Sequence, residues 1–235
     1  MMKFYRSLRP FQVISFDLDD TLYDNSQVII EAERHCIEFL RQSADIALDG
    51  EKWNACRQQI AQQQPRLCED VTAWRIETIQ TLLRQANKRP EEIRLICNRT
   101  MQAFLQRRHA IRLPQQSMDI LNRLKKRVKL AALTNGNLEP ARIGLNQFDL
   151  VLQGGKQGRA KPHADLFRQT AAYFNVPTHQ ILHIGDNLIT DVQGAVQAGC
   201  QSVWINLSGR NLNFFPEAGL LPDLEIDDLG ALLKL

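Results

Sequence analysis

No cysteine pair of the form C-x-x-C occurs in this 235-residue sequence, and its five cysteines (Cys36, Cys56, Cys68, Cys97, Cys200) are an odd number. Neither a disulfide framework nor a zinc site follows, so reduced and mostly buried thiols are expected. An excess of one charge is lacking too. Twenty-nine Lys and Arg against twenty-six Asp and Glu leave a formal +3, too small and too scattered to predict nucleic-acid or membrane binding. The runs Arg107-Arg108 and Lys125-Lys126-Arg127 read as solvated helix faces. No apolar run approaches the roughly 18 residues of a membrane span. The stretch after Met1 to Pro10 breaks at Asp17, which rules out a secretory signal core and leaves a cytoplasmic protein as the default. Internal repeats and low-complexity tracts are missing apart from Gln62-Gln63-Gln64. With 44% hydrophobic and 23% charged residues the chain is instead of ordinary globular composition, long enough for one domain with an insertion or two small ones.

Three ligand loops are also absent. Asp17-Leu-Asp19-Asp20-Thr21 opens like a calcium loop, but Leu22 and Val28 stand where Gly and Glu are needed. Gly154-Gly155-Lys156-Gln157-Gly158 lacks the P-loop spacing, and there is no G-x-G-x-x-G. What is present is a series of buried-strand signals that end in polar residues. Phe11 to Phe16 runs into Asp17, Val128 to Leu133 into Thr134-Asn135-Gly136, and Gln180 to Ile184 into Gly185-Asp186-Asn187. Helical patterns from Gln115 to Lys126, His163 to Phe174 and Leu188 to Ala198 alternate with them, with Gly199 as a C-cap, and Gln201 to Ile205 adds a further strand. This alternation predicts an α/β fold, a Rossmann-like parallel sheet in a three-layer α/β/α arrangement. Polar residues gather at the carboxyl ends of the strands, where ligands bind in open α/β sheets.

Between Asn25 and Arg112 strand signals vanish and helical spacing takes over. Ile30, Ile37 and Leu40 are expected on one apolar face, Ile79, Leu82 and Leu83 on another, and Ile93, Ile96, Cys97 and Phe104 on a third. About four helices are predicted there, giving a core of residues 1–24 and 113–235 and an inserted helical domain of residues 25–112.

Four fragments in order, Phe16 to Leu22, Leu133 to Gly136, Lys161-Pro162 and Gly185 to Asp191, resemble the four motifs of the haloacid-dehalogenase superfamily of phosphohydrolases. The resemblance implies that Asp17 is a nucleophile forming an aspartyl-phosphate and that Asp19 is the general acid and base, a role calling for a raised pKa. It implies that the Thr134 hydroxyl, the Asn135 backbone N–H and Lys161 hold phosphate oxygens. Mg²⁺ would be bound by the carboxylates of Asp17 and Asp186 and the carbonyl of Asp19, with Asp191 orienting that shell from behind. A phosphate ester brings two negative charges to Asp17 and Asp186 against one positive Lys161, so the metal is required. Each residue also has a plainer reading. Asp17, Asp19 and Thr134 to Gly136 are turn formers elsewhere, Lys161 can be an exposed loop lysine, and Asp191 can be a helix N-terminal charge favoured by the dipole. His183 reads as a hydrogen-bonded sheet histidine rather than a base.

The helical insertion resembles the cap of the subfamily that includes phosphoglycolate phosphatase, and such a cap closes over the site and reads the leaving group. Phe4-Tyr5-Arg6, Leu113 to Gln116 and Gly158 to Pro162, with the motifs, narrow the resemblance to the enterobacterial flavin-mononucleotide phosphatases. That family also takes the phosphoribitylamino-uracil intermediate of riboflavin synthesis. Trp74 and Arg75 have the chemistry to stack on and bond to a flavin, although a packed Trp beside a solvated Arg is the more economical reading. The expected partner is a small-molecule phosphate ester, with no nucleic acid and no membrane, and the chain a monomer or weak homodimer. Rival readings are a broad-specificity sugar-phosphate or nucleotide phosphatase, a phosphomutase, a haloacid dehalogenase, and a non-catalytic phosphate-binding module. The last would be expected to lack Asp17 or Asp19.

Overall fold

Uninterrupted β-branched and apolar runs form the middle of a sheet because only strands buried on both faces leave no room for polar alternation. In the computed structural model, which describes residues 2–209 and 211–235, Val13–Phe16 (β2) and Ile181–Gly185 (β5) are buried at every position. Met2–Phe4 (β1), Lys129–Thr134 (β3), Leu150–Gln153 (β4), Gln201–Ile205 (β6) and Leu224–Ile226 (β7) complete a sheet of order β1-β7-β6-β5-β2-β3-β4. Every pairing is parallel except β1 with β7. The chain therefore winds one way from β2 through β3 to β4 and the other way through β5, β6 and β7. The carboxyl end of β2 lies at this switch point, where an open sheet leaves a crevice.

The chain divides into two compact units. The sheet unit comprises Met1–Asp24, Arg112–Gly136 and Gly144–Leu235. On one side of its sheet, Leu166, Phe167 and Ala171 of Asp165–Phe174 (α6 below) pack with Val13, Leu133 and Ile181. The fold is α/β and Rossmann-like, as the strand and helix alternation predicted.

The helical unit is Asn25–Ile111 with Asn137–Ile143. Its helices are Ser26–Ala44 (α1), Gly50–Gln63 (α2), Val71–Gln85 (α3) and Pro90–Arg108 (α4). In the sheet unit follow Gln115–Leu124 (α5), α6 and the short Gly194–Gln197 (α7). Side chains start two of the helices: Asp49 accepts from Lys52 N at 2.8 Å and Asp70 from Thr72 N and Ala73 N at 2.9 and 3.0 Å, each cap contributing about 1 kcal/mol. α1 stops where Asp45 turns left-handed at φ 48° and returns its N–H to Arg41 and Gln42 carbonyls. Trp53, Ile79, Leu83 and Phe104 fill the core between the helices. All five cysteines are free thiols and four are buried. No helix among the described residues is long and apolar enough to cross a membrane.

Several expectations change. Ile30 is 59% exposed and leaves the α1 core face, where Leu40 is buried as expected together with Ala32, Cys36 and Ala44, and Ile37 packs against them. Arg108 is buried rather than solvated, with Nε donating to Asn137 Oδ1 at 3.3 Å and Nη1 to Asn25 Oδ1 at 3.0 Å. That contact sits in the helical unit, which includes residues 137–143 although the sequence reading put them with the sheet. The helix expected from Leu188 to Ala198 is a π-helical turn, Leu188–Gln193, followed by α7, and Gly199 ends it at φ 84°.

Candidate active site

Asp17 follows β2 directly, and its backbone N–H donates to Ile184 O at 2.8 Å, which fixes the carboxyl end of β2 against β5. The chain then doubles back on itself. Thr21 N and Leu22 N both return to Leu18 O, Asp20 N donates to Tyr23 O at 2.9 Å, and Asp20 takes φ 59°, a conformation that Asp tolerates better than most residues. Within this turn the Tyr23 hydroxyl donates to Asp19 Oδ1 at 2.8 Å. The Thr21 hydroxyl reaches Asp186 Oδ1 at 3.3 Å.

At the end of β3 the Thr134 hydroxyl oxygen accepts from Gly136 N at 2.8 Å. The Asn135 side chain clamps the backbone of Lys161 from both sides, donating to its carbonyl and accepting from its N–H, each at 2.8 Å. A side chain at Gly154 would lie 2.8 Å from both Asn135 Oδ1 and Ala160 Cα, so the clamp needs glycine there. The Lys161–Pro162 peptide is cis.

Thus held, Lys161 is 3% exposed and its ammonium meets three acceptors: Asp17 Oδ1 at 2.7 Å, Asp191 Oδ1 at 2.6 Å and Leu133 O at 2.5 Å. Asp191 is buried as deeply, and its Oδ2 accepts from Asn187 N at 3.1 Å. A side chain at Gly185 would collide with the Asp191 carboxylate, so that residue must be glycine for Asp191 to reach Lys161. Asn187, not Asp191, caps the turn that follows, accepting from Ile189 N and Thr190 N at 2.9 Å. Asp191 therefore makes the ion pair through Oδ1 while standing in the first turn of that segment, its Oδ2 taken by the Asn187 N–H. The Trp204 indole fixes the next acid by donating to Asp186 O at 2.8 Å.

Burial and charge compete here. Burial pushes the Asp17 carboxyl well above the ordinary carboxylate range, Lys161 pulls it back, and the Asp191 and Asp19 charges push it up again. Burial would also raise Asp191, but Lys161 and His183 override it and hold that carboxyl at about 2. Lys161 is raised, since Asp17 and Asp191 outweigh the burial that disfavours its charge. Asp186 is pushed up to about 6 by burial and by Asp191. One ammonium therefore pairs with two carboxylates, Asp17 and Asp191, and leaves Asp186 without it. Asp17, Asp186 and Asp191 can each bring an oxygen to a set lying within 4.8 Å of one another, an arrangement able to hold a metal ion.

Of the residues singled out from sequence, the structure gathers Asp17, Lys161, Asp186 and Asp191 in this cluster. Thr134 ends the neighbouring strand, β3, and Asn135 follows it; β3 pairs with β2 as Phe16 with Ala132. The Asp19 carboxylate lies outside the group of three and is engaged by Tyr23. Reasoning from sequence passed over Leu133 O, Thr21, Tyr23, Trp204 and Ser15, whose hydroxyl lies 2.9 Å from His183 Nδ1. Ser15, Tyr23 and Trp204 belong to no motif, and Thr21 and Leu133 lie inside motif fragments but act through contacts that only the turn and the strand register create.

A family model described as haloacid dehalogenase-like hydrolase matches residues 11–199, a span that includes Asp17, Lys161, Asp186 and Asp191. The chain belongs to that family. Among relatives in this family, the 5-amino-6-(5-phospho-D-ribitylamino)uracil phosphatase YigB of Escherichia coli is 39% identical over the full length of both chains. The phosphoserine phosphatase of Thermus thermophilus is 33% identical, over 68% of this chain and 66% of its own. Among haloacid dehalogenase-like structures, the 2-haloacid dehalogenase of Pseudomonas syringae superposes with a TM-score of 0.87 at 27% identity, covering 95% of this chain and 97% of that one.

Proposed function

We propose that this protein is a Mg²⁺-dependent phosphatase acting through an aspartyl-phosphate, with 5-amino-6-(5-phospho-D-ribitylamino)uracil as substrate and flavin mononucleotide as a second. The observation that carries the reading is the buried Asp17 gripped by Lys161, in a chain that aligns from end to end with a phosphatase of the first-named ester. Asp17 attacks phosphorus while Asp19 gives its proton to the departing alkoxide oxygen. Asp19 then takes a proton from the water that attacks the aspartyl-phosphate, which releases phosphate and restores Asp17. Lys161, the Thr134 hydroxyl and the Asn135 N–H hold the phosphoryl oxygens. The Thr134 oxygen already accepts from Gly136 N, so its own proton is left to donate.

Mg²⁺ suits this donor set because three closely spaced carboxylates offer hard oxygens against a single ammonium, and the Asp186 carboxylate accepts a long contact from the Thr21 hydroxyl at 3.3 Å. Asp17 and Asp186 would hold it through carboxylates and Asp19 through its carbonyl, with Asp191 orienting that shell. When bound, the dication offsets the repulsion between a carboxylate nucleophile and a dianionic ester. Residues 25–112, of which 25–111 form one compact unit with residues 137–143, serve as the cap, and the rest of residues 1–24 and 113–235 as the phosphohydrolase core. Five free thiols suit a reducing cytoplasm, and the enzyme works as a monomer or weak homodimer.

Likeness to a 2-haloacid dehalogenase favours a second reading, halide release by the same Asp17. The Asp19 carboxylate, engaged by Tyr23, and the acids Asp186 and Asp191 speak against it, since displacement of halide needs neither an acid for an alkoxide nor a metal. One screen decides. Phosphate release is measured over the uracil ester, flavin mononucleotide, sugar phosphates and nucleotides with Mg²⁺, and chloride release over 2-chloro acids. The two flavin-pathway esters are expected to give the highest kcat/KM, and chloride release without phosphate release would sink the phosphatase reading.

A further inference from the structure

A polar chain runs behind the cluster through the sheet itself. Ser15 on β2 and His183 on β5 are register partners, and both are fully buried. The Ser15 hydroxyl lies 2.9 Å from His183 Nδ1, and His183 Nε2 lies 3.3 Å from Asp191 Oδ1. That same oxygen meets the Lys161 ammonium at 2.6 Å, and the ammonium meets Asp17 Oδ1 at 2.7 Å. The Phe167 ring stands edge-on to the imidazole with centroids 5.0 Å apart and limits its rotation.

Hydrogen-bond capacity orders this chain. An ionised carboxylate only accepts, so Nε2 must carry the proton that points at Asp191, and the bare Nδ1 then accepts from the Ser15 hydroxyl. Buried polar groups without a role are expensive, and here a polar pair occupies the two central strands where apolar residues would pack better.

We infer that His183 is a positioning residue for phosphoryl transfer: through Nε2–H it fixes the Asp191 carboxylate, which in turn fixes Lys161 against Asp17. Lys161 has three acceptors, and only one of them, Leu133 O, belongs to the strand backbone. Asp191 is held on one side by Asn187 N and on the other by His183 and Lys161. Without His183 the carboxylate loses the donor that reaches it from β5. It can then rotate and take Lys161 with it, and the nucleophile loses its fixed rotamer. The inference rests on the roles of Asp17 and Lys161 proposed above.

Two substitutions of equal polarity separate positioning from packing. The amide of Asn reaches the place of Nδ1 and keeps the Ser15 contact, whereas the amide of Gln reaches the place of Nε2 and can still donate to Asp191. With saturating Mg²⁺ and p-nitrophenyl phosphate, His183→Asn is expected to lower kcat by about 10- to 100-fold, the usual loss when a group behind a first ligand is removed, with KM within about twofold. His183→Gln is expected to stay within about threefold of wild type. Rates are taken per active site, counted by trapped phosphoenzyme, so that misfolded protein does not register. Equal kcat per site in both variants and wild type would overturn the inference, as would equal losses in both. A second arm needs no activity. Long-range ¹H–¹⁵N spectra of the resting protein should show His183 protonated at Nε2 and bare at Nδ1, and the opposite tautomer overturns the inference. If wild type hydrolyses no ester at all, the functional reading has failed, and the tautomer arm still judges the hydrogen-bond chain.

Discussion

Each of the two units contains a cluster of charged side chains drawn largely out of solvent, and the two are balanced in opposite ways. In the helical unit Glu33 accepts from Arg57 at 2.6 Å, Arg75 at 2.7 Å and the Trp53 indole at 2.6 Å. The guanidinium of Arg75 lies 3.7 Å from the Phe104 ring centre and that of Arg57 lies 4.0 Å from that of Trp74. Arg75 Nε and Nη1 have no hydrogen-bond partner among the described residues, and the guanidinium lies against the ring face. Burial would raise Glu33, but the two arginines override it and its carboxyl is lowered. The carboxylate of this cluster is thereby held in its charged state, although burial still holds Arg75 below the ordinary guanidinium value. In the sheet unit, by contrast, Asp17 and Asp186 are both raised. Charge that the protein itself leaves under-compensated marks a place where something else is meant to bind, whereas a compensated cluster holds helices together. The pattern also decides what Trp74 and Arg75 do. Arg75 is buried rather than solvated, and both belong to the compensated set.

The largest way to test that contrast is Asp17→Asn. It should remove turnover by several orders of magnitude, since an amide is a far poorer nucleophile. A loss smaller than about 100-fold would rule out the covalent mechanism. Rapid-quench mass spectrometry of wild type should find phosphate on Asp17. Because burial already disfavours its charge, the variant's thermal midpoint should stay within about 4 °C of wild type, the equivalent of roughly 1 kcal/mol at this size.

Glu33→Ala is the mirror experiment. It strands two guanidinium groups, one of them 4% exposed, and removing one partner of a buried pair costs roughly 3–5 kcal/mol. The midpoint should drop by about 6–20 °C, while kcat on p-nitrophenyl phosphate per folded molecule stays near wild type. A catalytic defect without a stability defect would reverse the assignment of the two clusters.

Legibility in the sequence followed the same divide. The central strands announced themselves because β2 and β5 are buried on both faces and end abruptly in Asp17 and Gly185-Asp186. β1, β4 and β7 did not, being three or four residues long with exposed or half-buried positions that dilute the pattern. Asp17, Lys161, Asp186 and Asp191 could be found because each sits in a short motif. Ser15 and His183 could not be joined from sequence, as they lie 168 residues apart and meet only through strand register. Arg108 misled for a related reason: a charged residue at a helix end looks solvated until Asn25 and Asn137 close over it.

Metal dependence offers a smaller and graded effect. Asp186 is raised to about 6, so below that pH it holds a proton that a metal must displace. Apparent Mg²⁺ affinity should then fall about tenfold per pH unit below 6 and level off above 7. In metal-free protein the sign for stability is opposite. The protonated form is favoured on folding, so its stabilisation is complete below the ordinary carboxylate value and is lost as pH rises through about 6. Chelator should abolish phosphate release, and added Mg²⁺ should raise the thermal midpoint more at pH 7.5 than at pH 5. A midpoint shift independent of pH would remove Asp186 from the metal site.

The smallest expected effect concerns Trp74. If the helical unit reads the leaving group while the sheet unit transfers phosphate, a residue that reads it should alter the ratio of kcat/KM between flavin mononucleotide and p-nitrophenyl phosphate. Trp74 is half-buried, its indole donates to Arg57 O at 3.2 Å, and its ring lies under the Arg57 guanidinium. Each of those contacts is made within the helical unit. Trp74→Phe keeps a ring for the guanidinium and drops only the indole donor, so the ratio should stay within about threefold of wild type, with a stability loss near 1 kcal/mol. A tenfold fall in the ratio at unchanged stability would move Trp74 from the cluster that holds the helices to the surface that meets substrate, and with it the flat-ring recognition its chemistry allows.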